Sequence, residues 1–278
     1  MALPQLHERL NRHKGWSKHQ ALNRKHAMSG IHFLDAKGPD HMRLYAVGDI
    51  HGRLDLLQQM LARIDAEIAA DKPAEWRIIL LGDFIDRGPN SKGVLDLLCA
   101  RWLADPNLVL LCGNHDMGLL QFLEDPQSAS AYVFTHHGGF ETMLSYGLFA
   151  DFESPLAARR DILKVVDPKH LELIESLPRC TSYGDFFFCH AGIRPGVPLD
   201  LQDEDDLIWI RNAFLDHQGL HPKVIVHGHT PQDEPEVLPN RVNLDTWAVY
   251  SGRLTALVID GAEKRLMTVE GPALSAAR

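Results

Sequence analysis

The stretch LYAVGDIHG at residues 44–52 runs apolar for four residues and then stops in a polar turn bracketed by Gly48 and Gly52. An apolar run of this length, closed by glycine, reads as a buried strand with a tight exit. The residues that follow, RLDLLQQMLARIDAEIAA, place Leu54, Leu57, Leu61, Ile64 and Ile68 at helical spacing. A strand that passes through a polar turn into a helix is the building unit of an α/β fold. The unit recurs at IILLGDFIDRG (78–88) with the helical SKGVLDLLCARWLA behind it, and at LVLLCGNHD (108–116). Strands are also expected in DFFFCHAG (185–192) and VIVHGHT (224–230), and NRVNLDTWAVYSGRLTALVID reads as two strands across a turn near Ser251 and Gly252.

Between these strands, residues 117–178 carry Asp125-Pro126, Gly138-Gly139 and Asp167-Pro168 among helical stretches, the texture of a helical insert. The expected organisation is a basic N-terminal arm at 1–43, one catalytic domain at 44–262 and a short C-terminal end at 263–278. The arm holds eight Lys/Arg against three Asp/Glu, whereas the remainder holds twenty against thirty-four. Such an arm suits a solvated tail, and the acidic balance elsewhere gives no strong nucleic-acid signal. No apolar run is long enough to span a bilayer, and the opening residues lack a secretory pattern, so a cytoplasmic protein is expected. Cys99, Cys112, Cys180 and Cys189 form no C-x-x-C pair. They read as reduced core residues.

Five strand ends finish in residues able to bind a divalent cation: Asp49 and His51, Asp83, Asn114, His190, and His229. Carboxylate and amide oxygens mixed with imidazole nitrogens suit Mn, Fe or Zn. Six ligands exceed what one catalytic ion with open positions needs, so two ions sharing a carboxylate are expected, with Asp83 as the bridge. Asp49 and His51 are one residue apart and turn toward the same ion while Ile50 packs behind them. Arg87 offers a bidentate fork to phosphoryl oxygens. His115 is placed to protonate a leaving oxygen, oriented by Asp86.

GDIHG (48–52), GDFIDRG (82–88), GNHD (113–116), HAG (190–192) and GHT (228–230) resemble the signature of the calcineurin-like metallophosphoesterases. The resemblance runs from about residue 44 to 260 and implies an α/β sandwich of two mixed sheets flanked by helices. Within that superfamily the form G-D-x-x-D-R-G is similar to the phosphoprotein phosphatase branch. The segment HHGGFETMLSYG (137–147) and the pairing of HAGIRPG with LIWIR are similar to its bacterial members, usually manganese-activated. The resemblance implies that Asp49 and His51 bind one metal, Asp83 bridges, and Asn114, His190 and His229 bind the second. Asn114 is also expected to face substrate, and Arg211 is implied as a second phosphate ligand. The implied reaction is hydrolysis of phosphomonoesters by a dimetal-activated hydroxide, with phosphoserine or phosphothreonine on protein as first choice, Tyr phosphate included in a dual specificity. A symmetrical diadenosine tetraphosphate hydrolase, or another small-molecule phosphoesterase, is the alternative, because those hydrolases also show GNHD with Asp116. Trp247 and Ser251 stand where glycines are expected, which implies a narrower wall there.

Other residues read more plainly. His227, His136 and His137 are expected to be core or supporting histidines. Arg53, Arg194 and Arg241 are expected on solvated faces. The acidic run 203–206 suits a helix start.

Overall fold

The computed structural model describes residues 30–274. Two five-stranded sheets pack face to face. In the first, β1 (Met42–Val47), β2 (Glu75–Leu80) and β3 (Leu108–Leu110) are parallel, and β9 (Arg253–Asp260) and β10 (Glu263–Glu270) run antiparallel beyond β1. The second has the order β4 (Cys180–Tyr183), β5 (Phe186–Cys189), β6 (Val224–His227), β8 (Arg241–Asn243) and β7 (Glu236–Val237), with β5, β6 and β8 parallel.

Alternation along each strand sets the layers. Leu44, Ala46, Ile79 and Leu81 meet Phe186, Phe188, Val224, Val226 and Val242 between the sheets. Tyr45, Val47, Ile78 and Leu80 point the other way, onto α1 (Leu54–Asp71) and α2 (Ser91–Ala104). Phe187, Cys189 and Ile225 pack outward on Leu207, Ile210 and Phe214, from α8 (Glu204–Trp209) and α9 (Asn212–Leu215) and the residues between them. Where both faces of a sheet are covered, as at β5 and β6, the strand is buried throughout and almost wholly apolar. The segment read as a helical insert contains α3 (Asn114–Glu124) beyond its first turn, α4 (Tyr132–His136), α5 (Gly139–Ser145), α6 (Pro155–Val165) and α7 (Pro168–Ser176), joined without a strand.

The folded unit extends past both expected boundaries. Residues 1–29 of the basic arm lie outside the described residues, but its end belongs to the domain. Ala36 is fully buried, and the amides of Ile31 and Phe33 donate to the carbonyls of His221 and Pro239. At the other end, β10 pairs with β9 over its whole length. The tail also differs from the expected pair of strands across Ser251-Gly252. β8 and β9 lie in different sheets, joined through α10 (Ala248–Ser251), and the hairpin partner of β9 is β10.

Candidate metal centre

The loops after β1, β2, β3, β5 and β6 converge, and Asp83 lies at their centre. Its Oδ2 is 3.3 Å from His51 Nε2 and 3.4 Å from His190 Nε2. Its Oδ1 accepts the backbone N–H of His115 at 2.9 Å. Two groups share it, His51–Asp83–His115 and Asp83–His190–His229, each with ligand atoms within 4.8 Å of one another. Asn114 Oδ1 joins the second group, 2.9 Å from His190 Nε2 and 2.8 Å from His229 Nδ1. Asp49 lies beside it and accepts the backbone N–H of His229 at 3.0 Å. Two motif glycines exist because carboxylates rest on them. A Cβ at Gly113 would come within 2.1 Å of Asp83 Oδ1, and one at Gly228 within 1.9 Å of Asp49 Oδ1.

The donor chemistry fits divalent cations. His51 Nδ1 donates to the carbonyl of Ile85 at 2.8 Å, and His190 Nδ1 to that of Leu81 at 3.1 Å. A carbonyl only accepts, so the proton sits on Nδ1 and both Nε2 atoms carry lone pairs. The lone pair of His190 then faces the oxygens of Asn114 and Asp83, a crowd of acceptors with no hydrogen to share. His229 Nε2 is buried with no hydrogen-bond partner. Burial keeps the imidazoles of His51, His190 and His229 below their ordinary range, and hence neutral and ready to ligate. Burial also pushes the Asp83 carboxyl up, but its cationic surroundings, Arg87 the permanent charge among them, outweigh it and hold the group well below the usual range. Asp49 is raised by burial and by the nearby Asp245 and Asp83.

Next to these groups, His115 Nδ1 meets Asp86 Oδ2 at 2.7 Å, and Thr142 Oγ1 donates to Asp86 Oδ1 at 2.7 Å. The Arg87 guanidinium spans the two rings, donating at 2.8 Å to His51 Nε2 and at 2.8 Å to His115 Nε2. The fork thus occupies the same His51 Nε2 lone pair that would meet a cation. Arg211 is exposed, and its charge acts on His190, His229 and Asp245. Five of these residues adopt left-handed backbone: His51 (φ 45°), Asp83 (51°), Asp86 (73°), Arg87 (66°) and His229 (67°). Each costs about 1–3 kcal/mol and persists only where neighbours fix it. At Asp86 those neighbours are the hydroxyls of Ser91 and Thr142, which accept its N–H at 3.1 and 2.8 Å.

Residues 42–259 match the model of the calcineurin-like phosphoesterases, most of the chain. The chain belongs to that family. A bis(5'-nucleosyl)-tetraphosphatase of the asymmetrical type, PrpE of Bacillus thuringiensis strain Al Hakam, is 26% identical over 238 residues, covering 78% of this chain and 90% of that protein. Its namesake in Bacillus mycoides strain KBAB4 is 26% identical over 237 residues, again 78% of this chain and 90% of the relative. A crystal structure named provisionally as a diadenosine tetraphosphatase superposes with a TM-score of 0.58 at 23% identity, covering 82% of this chain and 93% of that one. A serine/threonine phosphatase of Saccharomyces cerevisiae superposes with a TM-score of 0.50 at 15% identity, covering 87% of each chain. At these identities the solved structures bear on the fold of this phosphoesterase, a two-sheet sandwich flanked by helices.

Two arginines of this phosphoesterase sit otherwise than the sequence reading expected, and other residues sit as it expected. Arg53 is 1% exposed rather than solvated, its guanidinium held by Asp55 and the carbonyls of Ala248 and Val249. Arg241 is also buried, over the Phe214 ring and paired with Glu236. Arg194 is exposed and pairs with Asp206. His227 is buried against Phe214, with Nδ1 at the Gly228 carbonyl. His136 stacks on Tyr132, and the partly buried His137 is lowered by burial and by the charges of His115 and Arg87. Asp203 caps α8 by accepting the N–H of Asp205. Asp245 is a buried carboxylate beyond β8 that the reading as paired tail strands overlooked. Burial raises its pKa to about 6. Trp209 is a second omission, its ring edge-on to His229 at 6.3 Å.

Proposed function

We propose that this phosphoesterase hydrolyses dinucleoside polyphosphates, using a dimetal site formed by Asp49, His51, Asp83, Asn114, His190 and His229. Asp83 would be shared by the two ions, and Mn is the metal we propose, with Fe or Zn suited to the same donors. When bound, the ions supply an activated water and neutralise charge on the phosphoryl group. Arg87 and Arg211 hold phosphoryl oxygens, and Asn114 faces the substrate beside them. Once Arg87 turns to phosphate, His115 Nε2 is free to take up a proton from solvent and deliver it to the leaving oxygen, while Asp86, on Nδ1, fixes the ring and steadies the positive charge it carries in between. The observation that carries phosphoryl chemistry is the pair of ligand groups sharing Asp83, with the His115–Asp86 pair and the Arg87 fork alongside.

The choice of substrate reverses the order expected from sequence, where phosphoprotein stood first. The relatives named above support the dinucleotide. Asp116 does not bear on the question. It is fully buried and accepts the backbone N–H of Phe84 and of Gly113, so its carboxylate staples two loops together and touches no substrate. A cytoplasmic site of action accords with a nucleotide substrate and with four free thiols. Among the described residues no helix is long and apolar enough to cross a membrane.

The test is the Mn-loaded enzyme offered diadenosine tetraphosphate and a phosphoserine/phosphotyrosine peptide panel side by side, with nucleotide products separated. Faster turnover of the dinucleotide, to ADP alone or to ATP with AMP, is expected. A strong preference for phosphopeptides would restore the protein phosphatase reading.

A further inference from the structure

Trp247 occupies a backbone conformation made for glycine. Its φ is 56° and ψ 44°, and the residue is nonetheless 48% exposed. A bulky residue in this region is strained. Burial of the indole is therefore not what the fold obtains in return.

The strain is held from all sides. The Trp247 N–H donates to Asp245 Oδ1 at 3.0 Å, and its carbonyl accepts the N–H of Tyr250 and of Ser251, each at 2.8 Å, and the Ser251 hydroxyl at 3.0 Å. The next turn is tied down by the buried Arg53, two residues beyond His51, which donates to Ala248 and Val249. The backbone that carries the indole is thus fixed between Arg53, at the end of the loop that holds Asp49 and His51, and the carboxylate of Asp245. That carboxylate lies within the electrostatic reach of both Arg87 and Arg211. Tyr250 adds a second ring, 5.3 Å from the indole and tilted by 56°.

We propose that Trp247, with Tyr250 behind it, is the ledge on which one nucleobase of the substrate stacks when Arg87 and Arg211 hold the phosphate chain. The inference rests on the dinucleoside polyphosphate reading and assigns it a recognition element. An indole stacks on any base by its π-face, so the ledge selects for a base without reading which one it is. A glycine at 247 removes the ring and relaxes the backbone at once, which separates recognition from folding.

The experiment compares wild type, Trp247→Gly and Trp247→Phe, each as the full chain loaded with Mn. It measures kcat and KM for diadenosine tetraphosphate, the inhibition constant of tripolyphosphate, which has no base, and the melting temperature. Trp247→Gly is expected to raise KM by about tenfold, the loss of one base–aromatic stack. The effect should fall on KM far more than on kcat, the tripolyphosphate constant should hold, and melting should be equal or higher. Trp247→Phe should recover most of the KM. The ledge is overturned if Trp247→Gly leaves KM unchanged, or if it weakens tripolyphosphate by the same factor. A wild type that turns over phosphopeptides but not the dinucleotide removes the underlying reading and the ledge with it.

Discussion

His115 is the residue whose chemistry is most exposed to test. Its Nδ1 is occupied by Asp86 at 2.7 Å, which leaves Nε2 to Arg87 and, in the proposed reaction, to the leaving oxygen. His115→Ala should lower kcat by about 10²–10⁴ on substrates with a poor leaving group. The loss should shrink on p-nitrophenyl phosphate, whose leaving oxygen needs no proton. Equal losses on both would show that His115 does not serve the leaving group. The residues gathered around Asp83 were legible in sequence because each follows an apolar strand and carries a side chain with no structural reason to be there. Asp245 follows the same rule after β8, but the alternation of the tail suggested a local strand pair and hid it. Arg53 was unreadable for another reason. Its burial depends on α10, nearly two hundred residues away in sequence.

Helical insert and the loop after β2 meet at two places: Thr142 of α5 bonds both the N–H and the carboxylate of Asp86, and the carbonyl of Gly138 accepts the N–H of Arg87 at 3.1 Å. The insert thereby holds two strained residues of the β2 loop in place. Thr142→Val keeps the shape and deletes the hydroxyl. It should cost about 1–3 kcal/mol of stability, measured by denaturant unfolding, because a buried donor and acceptor lose their partner. It should also lower kcat and alter its pH profile, whereas Thr142→Ser should restore both. A Val variant with a wild-type pH profile would reduce Thr142 to packing. The helices of the insert were legible as helices, since their apolar spacing is local. Their hold on Asp86 and Arg87 was not, because it joins residues some fifty positions apart. The same limit explains the tail. Period-two alternation identifies a strand but not its sheet, so β8 and β9 looked like partners although they belong to opposite layers.

The molecule as a whole is a sandwich that buries several histidines between or beside its apolar layers, and these are expected to make it sensitive to acid. His221 is 3% exposed between the rings of Phe214 and His217, and its pKa is lowered to about 4 by burial and by the charges of His217 and Arg241. As pH falls below about 6.5 the unfolded chain takes up this proton before the folded chain does. Its contribution to stability is therefore complete above that pH and declines until about pH 4, where the folded form also protonates. His221→Phe should flatten the fall in melting temperature between pH 7 and pH 5, and an unchanged slope would clear His221 of that role. The two halves of the sandwich meet at Asp83, since His51 comes from the first sheet and His190 and His229 from the second. Metal content is therefore the most direct reading of the proposed centre. Elemental analysis of chelator-free protein reconstituted with Mn should find about two ions per chain in wild type and a loss from both positions in Asp83→Asn, with phosphoesterase activity lost in parallel. Full metal content in Asp83→Asn, or undiminished wild-type activity after exhaustive chelation, would contradict a shared dimetal site.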